Sequence, residues 1–292
     1  RWWAIQREQW GKSIGKHEAI GSGKLVPAAC DILAMEAMNN FASVFFDRGG
    51  DVRLESATCK VFSSEKAWRI IDDMMQIFGG RGYEKAASLA RREPAAPVEQ
   101  IFRDARPNRI FEGSTEILSQ WVMREGLDPY LQKGMPILEK GHWGRKLKAI
   151  ASLGFDYLKL YSPTPIPDDV DERLAQHLKF VEKTSRKFVR TALIYAGKFG
   201  KKFAYKQLSM ARFFWIVADL FAMSAVCAYA THLAKAQSIQ LADMFCRDAK
   251  RRIKENFRAL KDNDDSEARK IAEGILTGDY IWLEDGIARW IP

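Results

Sequence analysis

Residues 100–118 read QIFRDARPNRIFEGSTEIL and contain the clearest break in a chain otherwise patterned for helices. Gly113 and Ser114 interrupt the pattern, and a serine followed by acidic residues favours a helix that begins just beyond it. Glu112 directly precedes this break. Rigid helices on either side can aim such a carboxylate into a cavity, as a catalytic base requires. On composition alone, the favoured interpretation is a surface or ion-paired glutamate beside several arginines.

Helical patterns also dominate the sequence on both sides of this stretch. Apolar residues recur at helical spacing over residues 25–46, 52–78 and 117–131, and residues 1–20 are amphipathic. Glycines at 49–50 and 79–80 mark helix ends, and residues 84–97 are predicted to form a loop with one short helical turn. No run of alternating β-branched residues is present. The sequence therefore predicts an all-α fold, with an antiparallel four-helix bundle over residues 1–133 whose first helix is truncated.

A second helical section is predicted over residues 134–292. It contains a proline-rich linker at 162–167, helices over about 168–200, 205–236 and 238–260, and a Trp-containing tail. Residues 213–230 are strongly apolar but include Asp219, which favours a buried bundle helix over a membrane span. Residues 142–161 form a basic amphipathic segment. That segment fits either an anionic membrane surface or a helix packed on its own domain.

Composition narrows the possible partners and the compartment. The 292-residue chain has a formal net charge of +9, which favours anionic partners, although the dispersed cations carry no nucleic-acid-binding signature. The four cysteines are far apart and are interpreted as reduced core thiols. The four histidines lack metal-ligand spacing, so no metal site is predicted. Because the first residues resemble mid-helix sequence, we expect the chain to be a piece of a longer polypeptide.

Four motifs, taken together, resemble those of the flavin-dependent acyl-CoA dehydrogenases. They are REQWGK at 7–12 followed by HEAI at 17–20, KVFSSE at 60–65, QIFGGRGY at 76–83, and RDAR at 103–106 with IFEGS at 110–114. Their order along residues 1–125 matches that of the C-terminal portion of this family. The helical extension beyond residue 134 is similar in length and pattern to the very-long-chain subgroup and its bacterial relatives.

The resemblance implies an α,β-dehydrogenation of fatty acyl-CoA thioesters, as in fatty acid β-oxidation. Glu112 matches the base that removes the α-proton, while Phe111 and Gly113 match residues beside the thioester. FAD is the implied cofactor, and some of its contacts in the family come from a neighbouring subunit. The matching cofactor-binding positions are Arg7, Gln9, Trp10, His17, Glu18, Gln76, Gly79, Gly80, Ser114, Thr115 and Glu116. Glu18 departs from the glutamine usual in the family.

The resemblance also implies partners and leaves alternatives open. The implied partners are fatty acyl-CoA, an electron-transfer flavoprotein-type acceptor and a second subunit bound through the helical bundle. We expect an intracellular, reducing location, and peripheral membrane contact through residues 142–161 is one of the two interpretations left open for that segment. We expect the chain alone to be inactive, because the family's other domains hold much of the flavin and substrate. The alternatives are an acyl-CoA oxidase, or a non-enzymatic assembly or membrane-docking module with the same fold.

Overall fold

The computed structural model describes residues 1–90, 96–138 and 164–286, and the pairs 143–144, 147–148 and 151–152. Most of these residues are helical, which confirms the all-α prediction. The helices of eight residues or more are α1 Val26–Asp47, α2 Arg53–Phe78, α3 Val98–Ala105, α4 Thr115–Leu138, α5 Glu172–Phe199, α6 Gln207–Leu233, α7 Ala236–Lys261 and α8 Asp265–Thr277. They include the long helices predicted over residues 25–46, 52–78, 117–131, 168–200, 205–236 and 238–260, with ends shifted by a few residues. The basic segment at 142–161 lies largely outside the described residues.

The N-terminal residues do not form the single amphipathic helix that the sequence predicted. A short helix, Trp2–Gln6, ends at Arg7 and is followed by two short antiparallel strands, β1 Glu8–Gln9 and β2 Lys12–Ser13. Trp10 and Gly11 connect the strands with φ values of 50° and 73°. Two successive residues at positive φ match the twist of a two-residue hairpin loop, and glycine adopts that conformation without strain. The glycine in this motif therefore turns the chain back where a helix was expected.

Short helical turns link the remaining elements. Gly21–Leu25 is a π-helical turn that leads directly into α1, and Gly80–Tyr83 and Ala86–Leu89 follow α2. The predicted helical turn within the 84–97 loop is thus confirmed. A 3₁₀ turn, Arg106–Arg109, connects α3 to the Glu112 region. Ser114 caps α4, because its Oγ accepts the Ile117 N–H at 3.4 Å and its carbonyl accepts the Leu118 N–H at 2.9 Å.

Helix α6 occupies the centre of the protein. It packs against α1 and α4 of the first section and against α5 and α7 of the second. One apolar cluster consequently contains Met38 and Phe62 as well as Phe213 and Phe245. Phe62 meets Phe245 edge to face, with ring centroids 6.4 Å apart. The two predicted sections thus share a hydrophobic core, while the proposed boundary at residues 133 and 134 falls inside α4.

The buried position of α6 agrees with the interpretation chosen for residues 213–230. By length and composition, α6 is the one helix among the described residues that could cross a membrane, but 67% of its most apolar window is buried inside the protein. Asp219 is 1% exposed and its carboxylate pairs with Arg252 of α7 at 2.6 Å. Core packing against four helices therefore accounts for the apolar sequence.

A second buried ion pair lies beside the first. Lys66 of α2 donates to Asp31 of α1 at 2.9 Å, and both side chains are at most one-tenth exposed. Burial lowers the pKa of Lys66, with nearby Arg252 adding to the effect, whereas burial raises the pKa of Asp219. Buried charges are tolerated only when they are paired. One pair therefore joins α1 to α2, and the other joins α6 to α7.

Candidate functional site

Glu112 lies on a tight turn between the Arg106–Arg109 segment and α4. Its φ is 54°, and the following Gly113 has a φ of 90°. A Cβ added at Gly113 would lie 2.7 Å from Leu118 Cγ, so the position has room only for glycine. Glu112 is exposed, and its carboxylate makes no hydrogen bond or ion pair with any residue that the structure describes. The side chain is therefore available to an external group.

The neighbouring arginines are engaged elsewhere. Arg103 pairs with Glu99 at 3.5 Å, and Arg109 donates to Glu65 at 2.7 Å. Arg106 stands over the Trp68 ring at 5.5 Å. Of the two parts of the alternative interpretation, a surface or an ion-paired glutamate, the described part of the chain shows the surface position and no ion pair.

Two side chains of α2 form hydrogen bonds that hold the Glu112 turn. Lys60 Nζ donates to the carbonyl oxygens of Phe111 at 3.2 Å and Gly113 at 2.6 Å, the residues on either side of Glu112. Glu65 Oε1 accepts from Thr115 Oγ1 at 2.6 Å as well as from Arg109. A left-handed conformation costs a residue with a side chain about 1–2 kcal/mol. Hydrogen bonds to charged groups contribute about 1.5–3 kcal/mol each, so these contacts offset that cost.

Large apolar side chains close to Glu112 in the sequence are exposed. Ile110 is 59% exposed, Phe111 51% and Ile117 64%. Several exposed apolar residues within one short segment that also carries a free carboxylate suggest a surface that another apolar body covers. A covered carboxylate would be shielded from water, which strengthens its interaction with a bound reactant.

A separate groove of about 650 Å³ brings together most of the residues predicted to bind the cofactor. Those that line it are Arg7, Gln9, Trp10, His17, Gln76, Gly79 and Gly80. The Trp10 indole is 88% exposed and lies edge to face with His17, with ring centroids 5.4 Å apart. His17 Nε2 also lies 3.0 Å from the Gln9 carbonyl oxygen. The hairpin and the end of α2 therefore form opposite walls of one site.

The glycines at the end of α2 leave part of this groove open. Gly79 has a φ of 63° and ends the helix, whereas a Cβ added at Gly80 would meet nothing within 4 Å. Trp3 stacks on Phe78 at 4.8 Å behind them. Exposed backbone at Gly79 and Gly80 and the Arg7 guanidinium are suitable partners for a phosphate group.

The predicted site residues consequently fall into two groups, one that lines the groove and one at the Glu112 turn. Glu18 does not line the groove, and Ser114, Thr115 and Glu116 belong to the Glu112 turn and the start of α4. At 1.5 Å per residue, Gln76 is about 17 Å along α2 from Glu65 and about 24 Å from Lys60. Helix α2 thus connects the two groups at a fixed separation. Among the described residues, no three His, Cys, Asp or Glu side chains are grouped to hold a metal.

Lys60 and Glu65 belong to the KVFSSE motif at 60–65, but no role for them was predicted from the sequence. Their contacts reach residues about fifty positions away, which helical periodicity does not reveal. Arg81 and Glu84 also line the groove and were not predicted. They form a 3.4 Å ion pair just after the Gly79 turn.

Family models match both helical sections. Residues 2–127 match the acyl-CoA dehydrogenase C-terminal domain, and residues 172–280 match the ACAD9/ACADV C-terminal domain. The fold and the two matches thus define the C-terminal helical region of an acyl-CoA dehydrogenase, followed by the extension found in ACAD9 and ACADV. This chain belongs to the acyl-CoA dehydrogenase family, which confirms the resemblance carried by the four motifs.

Individual relatives agree with this assignment. In an alignment of 303 positions, gaps included, the chain is 39% identical to the probable acyl-CoA dehydrogenase FadE10 of Mycobacterium tuberculosis. The alignment covers 98% of this chain and 46% of that protein. It is 28% identical to the mitochondrial very long-chain specific acyl-CoA dehydrogenase of Homo sapiens, with 88% and 40% covered. The chain therefore spans less than half the length of these bacterial and mitochondrial relatives.

A solved structure establishes the shared fold. The crystal structure of an acyl-CoA dehydrogenase from Bacillus anthracis, complexed with FAD, covers 90% of this chain and 46% of its own, with a TM-score of 0.67 and 23% identity. The match includes both helical sections. It agrees with the packing of α5, α6 and α7 on the bundle.

Proposed function

We propose that this chain forms the C-terminal helical part of an FAD-dependent acyl-CoA dehydrogenase in which Glu112 removes the α-proton of a fatty acyl-CoA thioester. The observation that carries the proposal is the free, exposed carboxylate on a turn held by Lys60 and Glu65. Family membership and the FadE10 and very-long-chain relatives support the reaction class. The reaction belongs to fatty acid β-oxidation.

The residues of the groove fit the diphosphate and adenine end of FAD. Arg7 supplies a guanidinium for phosphate, His17 a further donor, and Trp10 an exposed aromatic surface. Gln9, Gln76 and the open backbone at Gly79 and Gly80 add polar groups of the kind that position a cofactor. The groove volume of about 650 Å³ suits part of such a ligand. We assign Glu18, Ser114, Thr115 and Glu116 to cofactor contacts on the family pattern alone.

In the proposed mechanism, Glu112 accepts the proton from the carbon next to the thioester carbonyl. FAD, when bound, would supply the oxidant that takes the hydrogen of the β-carbon together with its electron pair. Phe111 and its exposed apolar neighbours keep water from the carboxylate once the substrate covers them. Gly113 is placed beside the thioester on the family pattern, and its missing Cβ makes room for Leu118 at the start of α4.

The same proposal includes the wider setting of the enzyme. An electron-transfer flavoprotein-type acceptor would reoxidise the flavin, and a second subunit would bind through the helical bundle. The four described cysteines are free and buried, which suits a reducing compartment such as the bacterial cytoplasm or the mitochondrial matrix. Peripheral membrane contact through residues 142–161 completes this picture.

Replacement of Glu112 by glutamine in the complete flavoprotein tests the proposal. We expect retained flavin absorbance and a turnover of palmitoyl-CoA lowered about 10²–10⁴-fold, because the general base is lost. Glu125→Gln on α4 removes an exposed carboxylate elsewhere and serves as the matched control. Near-normal turnover of Glu112→Gln would reject the assignment. Stoichiometric peroxide formation by the unaltered enzyme would identify an oxidase instead.

A further inference from the structure

The Glu112 turn has two distinct sets of anchors on α2. Lys60 binds its middle, through the carbonyl oxygens of Phe111 and Gly113. Glu65 binds its two ends, through the side chains of Arg109 and Thr115. The segment from Arg109 to Thr115 is thus bonded to α2 at four of its residues. The Lys60 and Glu65 contacts are not needed merely to start α4, since Ser114 already caps its N-terminal end.

Lys60 is unusual because main-chain oxygens take the place of an acidic partner. Among the described residues, no carboxylate lies within ion-pair distance of its ammonium group. Its two acceptors are the carbonyls immediately before and after Glu112. Both carbonyls therefore turn toward α2, while the Glu112 side chain is exposed to solvent. The contact selects the left-handed backbone conformation at Glu112, where φ is 54°.

We propose that Lys60 is a positioning residue for the base: it fixes the backbone of Glu112 so that the carboxylate meets the substrate carbon at a constant place. Glu65 supports it by holding both ends of the turn. The inference rests on the proposed function of Glu112, since it assigns Lys60 a role in that same step. Among the described residues, the Lys60 ammonium group donates to main-chain oxygens alone, so it acts through the backbone of Glu112.

The positioning role predicts a separation between catalysis and binding. Loss of Lys60 leaves the groove at the far end of α2 untouched, so the cofactor contacts assigned to the groove should be kept and the enzyme should still hold flavin. Displacement of a reacting group by about 1 Å can lower turnover about 10²-fold. An arginine at position 60 keeps the charge and can donate to two carbonyl oxygens, whereas glutamine is shorter and neutral.

The test compares Lys60→Gln and Lys60→Arg in the complete flavoprotein, with Arg69→Gln as the control. Arg69 is an exposed cation on the same helix. We expect Lys60→Gln to lower kcat about 10–100-fold with KM changed less than about threefold, and Lys60→Arg to recover most of kcat. Amide exchange provides a readout independent of turnover. The Phe111 N–H, which donates to the Pro107 carbonyl at 3.0 Å, should exchange about 10-fold faster in Lys60→Gln.

The outcomes separate this inference from the proposed function. If Glu112→Gln remains active, the assignment of the base fails, and amide exchange alone then decides whether Lys60 holds the turn. If Glu112→Gln is inactive while Lys60→Gln keeps kcat within about twofold of the unaltered enzyme, the positioning role of Lys60 is overturned. A loss in Lys60→Gln that Lys60→Arg does not recover, with unchanged Phe111 exchange, overturns it as well.

Discussion

Replacing Arg252 with methionine should destabilise the protein by leaving a buried carboxylate without its cation. Arg252 reaches Asp219 through Nη2 at 2.6 Å and Nε at 3.1 Å, and Asp219 is 1% exposed. Removing one partner of a buried pair costs about 3–5 kcal/mol. Because the Arg252 side chain is 34% exposed, water can partly replace it, which favours the lower end of that range. We therefore expect a loss of about 3 kcal/mol.

The expected change in Tm follows from the length of the chain. Unfolding entropy is roughly 2.1 cal/mol/K per residue, so a loss of about 3 kcal/mol corresponds to a Tm lower by about 5 °C. Arg251→Met is the matched control. Arg251 is the adjacent residue, is 70% exposed and pairs with Asp248, so its removal should cost less than about 1 kcal/mol.

The loss should also depend on pH in a defined direction. Burial raises the pKa of Asp219 in the folded protein above its ordinary value of 3.8, and Arg252 opposes that rise. Without Arg252, the Asp219 carboxyl keeps its proton up to a higher pH in the folded state than in the unfolded chain. Stability then falls as pH rises through that range, so the deficit is largest near neutral pH and shrinks as pH falls toward 3.8.

Thermal unfolding at about pH 8 and about pH 5 measures both effects. Asp219→Asn in the Arg252→Met background removes the charge that is left behind and should recover part of the lost stability. Nearby Lys66 and Asp31 remain paired with each other in all these variants. A deficit below about 1 kcal/mol, or one equal at the two pH values, would refute the reasoning.

Two further predictions concern single positions. Gly113→Ala should lower stability by about 1–3 kcal/mol in thermal unfolding, because φ is 90° and the new Cβ would meet Leu118; Gly80→Ala, with open space around it, should change stability by less than about 0.5 kcal/mol. An equal effect of the two changes would contradict this. Burial lowers the pKa of His177 below 6.5, although its contact with Asp243 opposes that shift. The unfolded chain therefore takes up a proton first as pH falls through 6.5, and stability is lost there; His177→Gln should lose less stability than the unaltered protein between about pH 7 and about pH 5, and an equal loss would rule the explanation out.

Much of the fold could be predicted because helices leave a local signal. The helical spacing of apolar residues located α1 and α2, and the glycines at 49–50 and 79–80 located their ends. Ser114 was identified as a cap from its own chemistry and its acidic neighbours. Asp219 was recognised as a sign of burial, although its partner Arg252 lies thirty-three positions away and could not be identified.

The remaining features depend on contacts between distant residues or on very short elements. The hairpin at Trp10 and Gly11 has only two residues in each strand, too few for an alternating pattern, and tryptophan is not a typical residue at positive φ. The anchoring of the Glu112 turn by Lys60 depends on the packing of α3 and the following turn along α2. Family resemblance supplied the roles proposed for Glu112 and Arg7, which periodicity alone could not assign.

The length of α2 limits which mutations the protein can accept during evolution. The Glu112 turn is held at Lys60 and Glu65, while the groove begins at Gln76 on the same uninterrupted helix. One residue inserted between these points would rotate everything beyond it by about 100° and displace it by about 1.5 Å. Substitutions leave this helical phase intact, whereas single insertions and deletions destroy it. Apart from Lys66, whose buried pair with Asp31 must be kept, the residues between Glu65 and Gln76 can therefore vary in identity far more freely than in number.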